Sequence, residues 1–109
     1  MALALNVFRT ITSVATASPV GIYTAPVGYS GVVLLAQAAN VTGNTYNVTL
    51  SHKRSNVTTE LVKDMAIPGN DSLSLITGRL VLQQNDSLIL SANAGNGIKL
   101  TVSLLETLS

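Results

Sequence analysis

At 109 residues the chain has the length of one domain, and charged side chains make up 10% of it, against about 25% in ordinary globular domains. Six basic and five acidic residues, scattered from Arg9 to Glu106, leave a net charge of +1; with no basic stripe to neutralise a row of phosphates, nucleic acid is excluded as an expected partner. Cysteine is absent, which excludes disulfides and thiolate metal sites.

A mean hydropathy of +0.44 comes without a membrane-spanning segment. No apolar run reaches the roughly 18 residues that a spanning helix needs, because Gln37, Asn40 and Thr/Asn clusters interrupt each candidate. No membrane partner is therefore expected. A surface this poor in charge favours contact with other copies or other proteins, so a component of an assembly is the first expectation.

The chain opens with "MALALNVFRTITSVATAS", residues 1–18. Ala15 to Ala17 resembles a small-residue cleavage site, but the first basic residue, Arg9, follows the apolar stretch instead of preceding it, the reverse of a signal peptide. Leu3, Leu5 and Val7 share one strand face and Phe8 lies on the other, so both faces carry something to bury. Residues 1–18 are expected to form an N-terminal strand or docking arm, with Leu3, Leu5, Val7, Phe8 and Arg9 as its interface, ahead of a β-sandwich domain over residues 19–109.

From there on, Val, Ile, Thr and Leu alternate with small polar residues, and Gly, Asn, Asp or Pro interrupts them about every ten residues, the spacing of a sandwich or barrel. In "TAPVGYS", Pro26 fixes φ and Gly28 supplies a permissive position, which predicts a turn between strands at 22–24 and 31–39. The run from Val32 to Ala36 lacks alternation; a strand covered on both faces is preferred over a short buried helix because β-branched residues open it. "TYNVTLSH", residues 45–52, alternates clearly, with Tyr46, Val48 and Leu50 on one side. Residues 56–67 read as a strand with a bulge or change of facing in its middle. Asn-Asp-Ser-Leu occurs twice, at 70–73 and 85–88, and is expected to form two similar Asx-type turns at one end of the sandwich, built on Pro68, Asn70, Asp71, Asn85 and Asp86. Asn96-Gly97 is a hairpin signal. In "IKLTVSLLETL", residues 98–108, Ile98, Leu100, Val102 and Leu104 predict a late strand closing the core.

Candidate chemistry is sparse. Five Asn-x-Ser/Thr sequons, at Asn40, Asn47, Asn56, Asn70 and Asn85, are accounted for by turn and strand preferences. His52 is the one histidine and reads as a solvated hairpin end. Asp71 and Asp86 would make a calcium site only if the two Asn-Asp-Ser turns met. The glycines match no nucleotide-binding spacing. No cofactor, no metal and no catalytic residue is expected, and the chain is read as a non-enzyme.

The segments "IYTAPVGYSGVVLLAQAANVTG", "VTLSHKR" and "IPGNDSLSLITGRLVLQQNDSLIL" resemble small virion structural proteins of tailed bacteriophages, including those of cyanophages. The resemblance lies in the turn at Tyr23 to Gly28, the apolar strand Val32 to Asn40, and the segments Pro68 to Ser72 and Gly78 to Ser87. It spans roughly residues 20–105 and leaves the N-terminal 18 residues outside. It implies a β-sandwich present in many copies on a virion, either on the head as a decoration or cement protein or on the neck, tail or baseplate.

Together these readings predict an all-β chain: one antiparallel sandwich, jelly-roll or Greek-key-like, of about eight strands. The expected role is capsid decoration, as a homo-oligomer with a trimer favoured, contacting the major capsid protein or other virion proteins. The expected location is the virion, the capsid surface ahead of the tail, after synthesis in the host cytoplasm. A receptor- or glycan-binding tip module, hinted at by the two Asn-Asp-Ser turns, is the alternative of a different class; an enzyme would require His52 in a cleft beside carboxylates.

Overall fold

The computed structural model describes residues 6–76, 78–93 and 97–108. Among the described residues, alternating β-branched and small polar residues produce nine strands: β1 (Asn6–Val14), β2 (Val20–Thr24), β3 (Tyr29–Asn40), β4 (Tyr46–Arg54), β5 (Val57–Ile67), β6 (Ser72–Ser74), β7 (Leu80–Leu82), β8 (Ser87–Ala92) and β9 (Ile98–Leu108). They form two sheets. One runs β1-β9-β3-β6 with β7 also on β3, and the other runs β2-β8-β4-β5. All pairings are antiparallel.

β6 and β7 pair with the two ends of β3, at residues 37–39 and 31–33, and act as one interrupted strand. Counted so, eight strands pair first with last, second with seventh, third with sixth and fourth with fifth. A long antiparallel hairpin rolled up in this way is the jelly roll, so the expected architecture holds.

The core lies between the sheets, where period-2 alternation brings one side of each central strand inward. Val33, Ala36 and Ala38 from β3, Val48 and Leu50 from β4, Leu88 and Leu90 from β8, and Ile98, Leu100, Val102 and Leu104 from β9 are all buried.

Three readings of local structure are corrected. Leu34 and Leu35 are 41% and 38% exposed, so the unbroken apolar run of β3 is not covered on both faces; a register shift between Val33 and Leu35 inserts an extra residue and breaks the alternation there. The Asn96-Gly97 signal does not mark a hairpin, because β8 and β9 lie in different sheets; residues 94–96 themselves lie outside the described residues. The two Asn-Asp-Ser turns sit at opposite ends of the sandwich. Asp71 C=O accepts the N–H of Asn40 at the end of β3 (2.8 Å), whereas Asp86 C=O accepts that of Ala25, just before β3 begins (2.9 Å).

The turns nonetheless share one design. Tyr29, Asp71 and Asp86 each donate N–H to the carbonyl three residues back, on Pro26, Pro68 and Gln83. The third residue of each turn, Gly28, Asn70 or Asn85, has φ of 86°, 58° or 68°. Positive φ at that place alone is the type II signature, and it selects Gly or Asn.

Candidate assembly surface

The outer face of the β1-β9-β3 sheet is built from residues that the pleat turns away from the core. Register places Phe8 beside Leu105, Leu105 beside Val32, and Val32 beside Val81. These four form one apolar row across the sheet, with Phe8 75% and Val81 53% exposed. The next rows are Thr10, Ser103 and Leu35, then Thr12, Thr101, Gln37 and Ser74. Lys99, in the row with Val14, Ala39 and Ser72, is the one ionised side chain among them.

Charge collects elsewhere. The β4-β5 hairpin carries Lys53, Arg54, Glu60, Lys63 and Asp64, five of the eleven charged residues of the chain. The outer face of the second sheet holds a groove lined by Gly21, Ile89, Ser51 and Ser91 and bordered by Lys53 and Glu60.

Of the expected interface residues, Leu3 and Leu5 lie outside the described residues. Residues 6–14 form a strand, β1, whose nine residues all pair with β9. Val7 is half-buried and Phe8 points outward. Arg9 is tied inward: its Nη1 donates to Glu106 Oε2 at 3.2 Å.

That carboxylate belongs to a buried polar group. Tyr23 Oη donates to the same Glu106 oxygen at 2.6 Å, joining β2 of one sheet to β9 of the other. The Tyr23 ring lies over Gly31, where an added Cβ would come within 3.1 Å of the phenol oxygen. Burial first, then the hydrogen bond to Glu106 and its negative charge, push the Tyr23 phenol well above its ordinary value. Glu106 was legible in principle: it continues the series Leu100, Val102, Leu104 and so sits in phase with the buried face of β9.

Asp86 and His52 depart from expectation more clearly. Asp86 is expected as an Asx-turn residue; it does sit at a turn, but its side chain is almost fully buried. Arg54 donates from Nε to its Oδ1 (2.9 Å) and from Nη2 to its Oδ2 (2.6 Å), and the Gln83 N–H donates to Oδ2 at 2.9 Å. His52 Nε2 lies 3.1 Å from the same oxygen, so His52 is a half-buried partner of Asp86 and not a solvated hairpin end. The Arg54 hydrogen bonds, followed by those of His52 and Gln83, outweigh burial and hold the Asp86 carboxyl well below the usual carboxylate range. With the Arg54 fork, the Gln83 N–H and His52 all on Asp86, the group works as a brace between β4 and the β7-β8 turn.

At the opposite end, buried Asn40 was missed as an organiser. Its Nδ2 donates to the carbonyls of Asn44 (2.6 Å) and Ile67 (2.9 Å), and its Oδ1 accepts from the N–H and hydroxyl of Thr42. Among the described residues no buried side-chain N or O lacks a partner, and no cluster of His, Asp and Glu suits a metal ion. Asp71 and Asp86 cannot share a cation, being at opposite ends of β3. The same separation removes the single-ended loop cluster on which a glycan-binding tip was argued.

No protein-family model matches the chain, and no curated protein matches it. Its fold is similar to a Bacillus endospore appendage protein, from a family of disulfide-linked pili, with a TM-score of 0.55 and 18% identity over 95% of this chain and 88% of that one. Two crystal structures of a pentameric capsid protein from metagenomic phage sequences are more distant. Their TM-scores are 0.46 and 0.45 at 13% identity, over 90% of this chain and 60% and 61% of theirs.

Proposed function

We propose that this chain is a non-enzymatic structural subunit of a tailed-phage virion whose work is association. The observation that carries the reading is the outer face of the β1-β9-β3 sheet, apolar or uncharged apart from Lys99, with Phe8 three-quarters exposed. Such a face adds buried area only in the assembled state, so assembly is favoured by linkage. The titratable groups that sit together are consumed in bracing contacts, which leaves the surface as the functional feature.

Within this class, capsid decoration is the preferred place, as a homo-oligomer, trimeric by preference, held on the major capsid protein. The N-terminal residues Leu3, Leu5 and Phe8 add a contact to a neighbour, while Val7 and Arg9, expected in the same contact, turn towards the chain's own sandwich. A neck, tail or baseplate position is the second reading. The pilus subunit of similar fold belongs to a disulfide-linked polymer; this chain has no cysteine, so disulfides do not join its copies.

Two measurements test the proposal. Sedimentation velocity on purified protein at increasing concentration is expected to show oligomers, and a strictly monomeric protein overturns the reading. Copy number per virion by quantitative mass spectrometry then separates the positions: hundreds fit a shell, and a few to a few tens fit a neck or baseplate.

A further inference from the structure

A β-sandwich has sheet edges, and an edge that is long, regular and uncharged is open to another strand. Among the described residues, three of the four edges are blunted. β2 is five residues long, follows Pro19 and breaks register between Gly21 and Tyr23. β5 carries Glu60, Lys63 and Asp64, holds Asp64 at φ 51° and shifts register twice against β4. The β6/β7 edge is two three-residue pieces.

β1 has none of these defences. Its nine residues pair with β9 in unbroken register and include no proline and one charge, Arg9, which is held by Glu106. Among the described residues β9 is its one neighbour. No residue of β1 is fully buried, and even the inward Val7 and Ile11 are half covered, whereas β8 and β9 bury every second residue over most of their length. The strand is unfinished in the isolated chain.

We propose that this edge is completed by a second copy of the chain: two β1 strands pair antiparallel about a two-fold axis, joining two five-stranded sheets into one. The occupant follows from the strand itself. Opposed residues must share a face, so only registers that place outward residues against outward residues are allowed. The register centred on Thr10 pairs all nine residues. It sets Phe8 against Thr12 of the other copy and Arg9 against Ile11, so no like charges stand directly opposite; the two Arg9 residues are diagonal neighbours, each paired with Glu106 of its own chain. The contact is isologous and is additional to any three-fold contact made through another surface.

The proposal rests on the reading of the chain as an assembling subunit, and its test separates the two. Thr10 is exposed and would face itself across the axis. Thr10→Glu and Thr10→Lys are each expected to weaken the two-fold association about tenfold in sedimentation velocity, with unchanged thermal melting, and an equimolar mixture is expected to restore it. In a chain without cysteine, Thr10→Cys should cross-link two copies under mild oxidation. Thr12→Cys should not, since the two Thr12 residues would stand about 13 Å apart. Association unchanged in both charge variants, a mixture that fails to recover, or equal cross-linking at both positions overturns the edge pairing and leaves the assembly reading standing. A wild-type monomer at high concentration overturns both.

Discussion

Asp86 shows how a residue can be identified in the sequence and still be misjudged. Its place in a turn follows from Asn-Asp-Ser, but its burial depends on Arg54 and His52, which arrive from β4, more than thirty residues earlier. Asp86→Asn keeps the shape and loses the charge that the Arg54 fork requires. It is expected to cost about 2–3 kcal/mol by urea denaturation at neutral pH. Because the folded carboxyl is held below its unfolded value, its contribution is complete above the usual carboxylate range, near pH 4, and is lost as pH falls towards the depressed value. The wild type should therefore lose more stability than Asp86→Asn on acidification from about pH 5 to pH 2. Tyr23 gives the opposite sign: its phenol is raised, so its contribution is complete below about pH 10 and is lost as pH rises further. Tyr23→Phe should cost about 1–2 kcal/mol at neutral pH and flatten the alkaline loss measured by the same denaturation series.

At the scale of elements, strand existence was legible, and strand environment only where the alternation is unbroken. β4 and β9 follow the alternation of Tyr46, Val48, Leu50 and of Ile98, Leu100, Val102, Leu104, because one face of each meets the core. The bulge expected in residues 56–67 appears as two register shifts. β3 was misread because an extra residue at Leu34 imitates two-sided burial. Connections were harder still: a turn motif specifies a reversal but not which sheet receives the chain. The end opposite Asp86 offers a direct check. A Cβ on Gly69 would lie 2.6 Å from the backbone carbonyl carbon of Gly43, whereas a Cβ on Gly43 would meet nothing within 4 Å. Gly69→Ala should cost about 2–3 kcal/mol, and Gly43→Ala about 0.5 kcal/mol or less, in matched thermal melts.

Across the whole molecule, charge is asymmetric although the net value is nearly zero. Five of eleven charged residues lie on the β4-β5 hairpin, whereas the β1 side sets Phe8, Thr10, Thr12 and Val14 beside Lys99 and the Arg9–Glu106 pair, which is closed within the chain. Association through that side should be nearly insensitive to salt between about 0.05 and 0.5 M, because it matches no charges that the salt could screen. A steep salt dependence in sedimentation would place the contact on the hairpin instead. Phe8→Ser should weaken association while leaving the melting of the dilute monomer within about 0.5 kcal/mol of wild type, since Phe8 is 75% exposed.

The sequence by itself determined the fold class, the scarcity of charge and the position of the turns, because pleat periodicity, composition and the φ demands of Gly and Asn are local properties. Only the tertiary structure decided that the two Asn-Asp-Ser turns stand at opposite ends, that Asp86 and Glu106 are buried braces, and that β1 is the open edge. Those outcomes depend on which distant strands become neighbours, and a strand's own residues carry no record of that.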